Sequence, residues 1–368
     1  MEVRNENNQK YLIVYVSSIG QEPNLYVGRG QSEVTEPRLE IEGYTIPLKT
    51  RNDDNTENNS NMKYATTYEE NNASQGAPST HDELYGEFDK LIDMDDNYVG
   101  KEILGSNGEG NQLLSYKFSK ANTANTTSYT KPKIGILASI HGDEKGPAVA
   151  TLNFLKTLVE NPHNNETLNK IKSNVDFYII PTGNPTGWDN NTRQNGNGVN
   201  LNRNFTEGWT LIESSYDNSG TSPASEVETQ LIEQWLLDNQ FDYFIDFHNT
   251  AYGSKDYPDE EHTLSWFVGD NDNKPLLEKQ YVKVMNLVST LWSEKNGNFP
   301  NDRVFGYARN LTGATALNQA STTGAKSVVF EASWRIGYVN DVKYGQITNQ
   351  FATELLGNYL FEICKEFI

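Results

Sequence analysis

Four short runs rich in apolar residues, KIGILASI (133–140), VDFYII (175–180), FDYFIDF (241–247) and SVVF (327–330), are separated by stretches with helical periodicity. Runs of this length suit strands covered on both faces, and alternation with helices places them in one sheet between helical layers. The expected fold is therefore a three-layer α/β/α sandwich with a mixed, largely parallel sheet. A helix with Pro147 near its first turn follows the first run. SPASEVETQLIEQWLLDN reads as a second helix, with Ser222 as cap, Pro223 first and an Ile232/Trp235/Leu236 face. LLEKQYVKVMNLVSTLW reads as another, and ITNQFATELLGNYLFEICKEF closes the chain. Upstream, THDELYGEFDKLI offers Thr80 as N-cap and Glu83 at the capping-box position, with Leu84, Phe88 and Leu91 on one face. KEILG and NQLLSYKFS flank the turn SNGEG, a hairpin pattern.

Three regions follow from composition. Residues 1–50 hold short β-like runs (YLIVYV, NLYVG, RLEIEGYTIPL) and are expected to form a small β-rich module. Residues 51–79 are Asn-rich and poor in apolar side chains, as in a linker or long loop. Residues 80–368 form the main domain. With 50 acidic and 30 basic residues the net charge is −20, which lacks the basic footprint that nucleic acid requires. The single cysteine, Cys364, excludes an intrachain disulfide and a Cys-rich zinc cage. No apolar stretch approaches the roughly 20 residues of a membrane span, and the opening MEVRNENNQKYLIVYV is too short a run for a secretory signal. The expected location is the cytoplasm, or a virion or the exterior reached by a non-classical route.

In α/β sheets, ligands gather beyond the carboxyl ends of the strands. Of the five histidines, His81, His141, His163, His248 and His262, only His141 and His248 stand at the tips of buried runs. Glu144 lies in the loop after His141, and Glu331 ends SVVF. Two imidazoles and a carboxylate make a zinc ligand set that leaves one position for water, and a further carboxylate can act as base. For a lone strand-end histidine, capping the strand by a hydrogen bond to a backbone carbonyl is the commoner role, so the two residues by themselves do not establish a metal site. The segment NPTGWDNNTRQNGNGVNLNRNF (184–205) is long, aperiodic and polar. It keeps two arginines in an acidic chain, and arginine suits a bidentate grip on a carboxylate or oxyanion.

HGDE, NPTG, RQNGNGVNLNRNF, ASEVET, DFHN and VVFEAS occur in that order from about residue 80 onward. In this order they resemble the motifs of the zinc metallocarboxypeptidases of the carboxypeptidase A/E superfamily; the first quarter of the chain is not covered. The resemblance implies one Zn2+ per chain, held by His141, Glu144 and His248. It implies that Arg193 polarises the scissile carbonyl, that Asn202 and Arg203 clamp the substrate's terminal carboxylate, and that Glu331 is the general base. The implied reaction is hydrolysis of a C-terminal peptide or isopeptide bond, with a peptide bearing a free terminal carboxylate as partner. Two other readings remain: an amidohydrolase of the succinylglutamate desuccinylase/aspartoacylase type, or an inactive structural or binding module of a larger assembly.

The chain departs from the family pattern at Asn200, where the family has an aspartate that partners the first histidine ligand. Tyr307 is the nearest match to a family tyrosine on a loop before the glutamate, at loose spacing. The resemblance also implies that residues 304–330 line the pocket for the departing side chain. That segment has no Asp or Glu and carries Arg309 and Lys326, cations that suit an acidic residue or a bacterial cell-wall peptide.

Overall fold

A computed structural model describes residues 2–6, 9–13, 38–41, 44–47, 64–68, 76–120, 130–161, 164–250, 265–270, 272–296, 305–306, 313–333, 338–339, 342–343 and 348–368. The chain divides into two compact units, Met1–Asn59 and Ser60–Ile368. In the first, β1 (Glu2–Glu6) pairs with β2 (Gln9–Ile13), and β3 (Arg38–Ile41) with β4 (Tyr44–Pro47), both antiparallel. NLYVG lies outside the described residues.

The second unit runs α1 (His81–Met94), β5 (Val99–Ser106), β6 (Gln112–Phe118), β7 (Lys133–Ala138), α2 (Gly146–Glu160), α3 (Glu166–Asn174) and β8 (Asp176–Ile180). It continues with α4 (Pro185–Asn190), α5 (Val227–Asn239), β9 (Tyr243–Thr250), β10 (Ser265–Gly269), α6 (Lys274–Asn296), β11 (Phe305–Gly306), α7 (Ala316–Ser321), β12 (Lys326–Ser333) and a final helix, α8 (Thr348–Cys364). Two residue pairs after β12, Tyr338–Val339 and Val342–Lys343, form a small separate ladder. The main sheet has the order β11-β10-β12-β9-β7-β8-β6-β5. Its centre, β12-β9-β7-β8, is parallel, and β6 and β5 add antiparallel at one side.

Alternation along the strands sends side chains into two separate cores, one on each face. Tyr243, Ile245 and Phe247 of β9, with Val328, Phe330 and Ala332 of β12, pack with α1, α2, α6 and α8. Phe244 of β9 and Leu137 of β7 pack with Ile232, Trp235 and Leu236 of α5 and with α7. The expected three layers and mixed sheet are what the chain forms.

Local chemistry explains where elements begin. Thr80 Oγ1 accepts from Glu83 N at 3.2 Å, and Glu83 Oε2 accepts from Thr80 N at 3.4 Å, closing the expected capping box. The start of α5 differs from expectation. Ser222 and Pro223 lie outside it, and Glu226 occupies the N-cap. Asn204 is the reason: its carbonyl accepts from Ala224 N at 2.7 Å and its Oδ1 from Glu226 N at 3.1 Å, so the intervening residues are bound as a turn instead of a helix. Ala224 adopts φ +46°, outside the right-handed helical region. The segment expected to be one polar loop up to Phe205 contains α4, capped by Asn184 Oδ1 on Gly187 N at 2.8 Å, and a 3₁₀ turn over Leu201–Arg203.

Candidate metal centre

β7 and β9 are parallel neighbours, and their carboxyl ends deliver the two histidines together. After β7, Ser139 takes φ +49° and its hydroxyl donates to Glu144 O at 2.7 Å, bending the chain so that residues 141 and 144 face back over the sheet. Gly142 sits where a Cβ would collide with the backbone of Gly187 and Trp188, so the loop requires glycine there. On β9, His248 lies two residues before the end of the strand, and Asn249 N donates to Glu144 Oε2 at 3.1 Å.

His141, Glu144 and His248 offer ligand atoms that all lie within 4.8 Å of one another and could hold a metal ion. The two Nδ1 atoms are 3.2 Å apart. Glu144 Oε1 lies 2.8 Å from His141 Nδ1, and Oε2 lies 2.9 Å from His248 Nδ1. Each Nε2 is occupied on the far side of its ring. His141 Nε2 lies 3.1 Å from Asn200 Oδ1, and His248 Nε2 lies 2.9 Å from Asp246 Oδ1. A ring that donates from Nε2 keeps its Nδ1 lone pair for a cation, so the donor set of two nitrogens and a carboxylate fits zinc.

Electrostatics separate the two rings. Burial pushes His141 down to about 4, helped by Arg193 and His248 and opposed by Glu144, so its imidazole is neutral at ordinary pH. Burial acts on His248 in the same direction, but Asp246 and Glu144 outweigh it and hold its pKa well above the usual histidine range. Burial alone would raise the pKa of Glu144; the two imidazoles reverse that and keep the carboxylate ionised.

The other expected residues gather at the same rim. Arg193 Nη1 lies 3.1 Å from Glu144 Oε1 and 3.1 Å from His141 Nδ1, and its Nε is buried with no hydrogen-bond partner among the described residues. Asn202 and Arg203 share the 3₁₀ turn. Asn202 is buried: its Nδ2 donates to Asp246 Oδ2 at 3.2 Å, and its Oδ1 accepts from Ala316 N at 2.8 Å. Arg203 is partly exposed and donates to Asn202 O at 2.8 Å. Glu331 is paired in register with His248 across the β9–β12 ladder, so both side chains leave the same sheet face on adjacent strands. It is half-buried.

Some expected residues are elsewhere. Lys326 starts β12, five residues before Glu331; its Nζ lies 4.6 Å from the centre of the Tyr243 ring and 3.7 Å from Glu366. At about 3.3 Å per residue it stands at the opposite end of the strand and cannot select a side chain at the rim. His81 is used in α1, where its Nδ1 lies 2.7 Å from Asp189 Oδ2. Tyr307, Arg309, His163 and His262 lie outside the described residues. Asp246 was not anticipated. It is fully buried two residues before His248, and the two-residue period of a strand was the signal for it.

Comparison with known proteins agrees with this geometry. The family model described as zinc carboxypeptidase matches residues 84–342. Carboxypeptidase D of Drosophila melanogaster is 26% identical over 167 residues, 42% of this chain and 12% of that protein. Human mast cell carboxypeptidase A is 25% identical over 182 residues, 44% of this chain and 42% of that protein. The chain thus spans less than half the length of these relatives. Among solved structures, carboxypeptidase A from Helicoverpa armigera superposes with a TM-score of 0.55 at 20% identity, covering 77% of this chain and 71% of that one. Thrombin activatable fibrinolysis inhibitor does so with a TM-score of 0.58 at 18% identity, covering 78% and 73%. These two share the fold. From the match over most of its length, and from the paired imidazoles and carboxylate at the rim of its sheet, the chain belongs to the zinc carboxypeptidase family.

Proposed function

We propose that this chain is a zinc-dependent carboxypeptidase that hydrolyses a C-terminal peptide or isopeptide bond. The observation that carries the reading is the meeting of three ligand atoms within 4.8 Å of one another with Arg193 3.1 Å from Glu144. His141, Glu144 and His248 would hold the ion. When bound, zinc supplies Lewis acidity that lowers the pKa of a water and polarises a carbonyl.

The protein's own groups do the remainder. Glu331, half-buried beside His248, takes the proton of the attacking water and passes it to the leaving amine. Arg193 meets the oxyanion. Its buried Nε is a donor in want of an acceptor, a costly state that a developing negative charge relieves. Arg203 supplies the positive charge for the substrate's terminal carboxylate, with the Asn202 amide beside it. Asp246 and Asn200 hold the rings of the two histidine ligands. This arrangement supports a peptide substrate, and Lys326, at the opposite end of β12, is too far from the rim to choose its last residue.

The test is a set of peptides differing only in their final residue, including D-residues and γ-linked cell-wall peptides, with N-acyl-aspartate and N-acyl-glutamate alongside. Turnover of peptides that a zinc chelator stops, and that Glu331→Gln lowers by about 10²–10⁴-fold while zinc stays bound, is the expected result. Turnover of the N-acyl amino acids alone, or undiminished peptide turnover in Glu331→Gln, would contradict the assignment.

A further inference from the structure

Asn200 stands where a carboxylate would give His141 a charged partner, yet a carboxylate is present one hydrogen bond farther out. Asn200 Nδ2 donates to Asp217 Oδ1 at 2.7 Å. With Asn202 N donating to Asn200 Oδ1 at 3.0 Å, the amide has one stable orientation, and it turns Oδ1 toward His141 Nε2. An amide flipped the other way would bring its N–H to that nitrogen and leave the Asp217 carboxylate facing an oxygen.

Asp217 also faces both arginines of the site. Its Oδ1 lies 3.9 Å from Arg193 Nη2, and its Oδ2 lies 3.7 Å from Arg203 Nη2. Two guanidinium groups held near each other repel, and a carboxylate between them offsets that repulsion. The preceding residue, Tyr216, places its ring 4.7 Å from the Arg193 guanidinium carbon, a cation–π distance.

Backbone contacts fix this segment to the loop before the 3₁₀ turn. Asn200 N donates to Asn218 O at 2.8 Å, and Asn218 Nδ2 to Gly198 O at 2.9 Å. Gln194 Nε2 donates to Ser215 O at 3.1 Å and to Tyr216 O at 2.9 Å. Asp217 N donates to Ser214 Oγ at 2.8 Å. A surface residue, with its side chain 31% exposed, is thereby held against three buried or half-buried members of the site.

We propose that Asp217 is a positioning residue of the metal centre, supplying through the Asn200 amide the negative charge that orients His141 and, directly, the charge that spaces Arg193 and Arg203. The proposal rests on the zinc carboxypeptidase reading for the role of His141. Its test does not depend on which substrate is cleaved.

Zinc affinity of the full chain is measured by competition with a chromophoric chelator for the parent, Asp217→Asn, Asp217→Ala and the double variant Asn200→Asp/Asp217→Ala. Asp217→Ala weakens zinc binding about tenfold or more, the usual effect of losing an outer partner of a metal ligand. Asp217→Asn keeps an acceptor but no charge, and loses less. In the double variant the carboxylate stands directly on His141, and affinity returns to within about threefold of the parent. A loop merely loosened by Asp217→Ala gains nothing from Asn200→Asp, so absence of rescue overturns the proposal. So does an Asp217→Ala variant that binds zinc as tightly as the parent. A parent chain that binds no zinc removes the functional reading and this inference together; zinc-dependent hydrolysis with an unmoved Asp217→Ala removes this inference alone.

Discussion

The two candidate imidazole ligands turn the same atom, Nδ1, inward because each Nε2 meets an oxygen behind it, an amide oxygen for His141 and a fully buried carboxylate for His248. That contrast makes the pair unequal: one ring is held neutral by burial, the other is favoured in its charged form by Asp246 and Glu144. The arginines divide their work in a similar way. Arg193 is largely buried against Glu144, while Arg203 is the more exposed and the better placed to meet a substrate. Replacing Arg203 by Met is therefore predicted to raise KM by about 10- to 100-fold, the loss of a charge-assisted hydrogen bond, with a smaller fall in kcat. Steady-state kinetics would show it, and a fall in kcat at unchanged KM would argue against a carboxylate clamp. The apolar runs put His141, His248 and Glu331 at strand ends, with Glu144 in the loop after His141; the roles expected of them came from the order of the family-like motifs. Asp246 was readable in principle from the two-residue period. Asp217 was not: it is only partly buried, sits in an aperiodic stretch, and reaches His141 through a second side chain, a link that no spacing encodes.

At the scale of elements, β12 shows how the fold positions chemistry. Glu331 leaves one face toward the site, and Phe330 leaves the other into the core. Phe330 stacks on Tyr359 at 5.2 Å between centroids and meets Phe247 and Tyr281 at 5.5 and 5.8 Å. Phe330→Ala is expected to cost about 3–5 kcal/mol of stability, read as a lower urea midpoint, with Phe330→Leu much milder. A loss below about 1 kcal/mol for the alanine variant would mean that β12 is not anchored by this cluster. The capping box of α1, the strands β5 to β9 and β12, and the helices α1, α2, α5, α6 and α8 were visible in the sequence as local patterns, whereas α3, β10, β11 and α7 were not. The start of α5 was misplaced because Asn204, far upstream of it, captures the residues that would have formed its first turn. The short helix α4 was hidden in a run of turn-forming residues.

At the scale of the molecule, the unit carrying the site begins before α1. Ala65 N donates to Thr157 Oγ1 at 2.7 Å and Thr67 N to Asn153 Oδ1 at 2.8 Å, while Asn349 Nδ2 donates to Gly76 O at 2.7 Å. The Tyr64 ring lies over Gly357 of α8, where a Cβ would strike it, and 6.5 Å from the ring of Phe361. This strap joins the two helices that cover the far side of the sheet from the metal centre. Gly357→Ala is predicted to displace Tyr64 and lower Tm by about 2 °C or more, even though alanine favours a helix over glycine by up to about 1 kcal/mol. A rise in Tm would show that the strap adds nothing to stability. Composition had marked residues 51–79 as polar and Asn-rich, and it gave no hint that Tyr64 and Thr67 would be docked.

The central claim is that His141, Glu144 and His248 bind one zinc ion together. Anomalous diffraction collected on both sides of the zinc edge, from crystals of protein purified without chelator, tests it most directly. The predicted result is one strong peak per chain at the carboxyl ends of β7 and β9, about 2.0–2.1 Å from both Nδ1 atoms and in contact with the Glu144 carboxylate. A map with no peak there, or with zinc bound only at other residues, would contradict it.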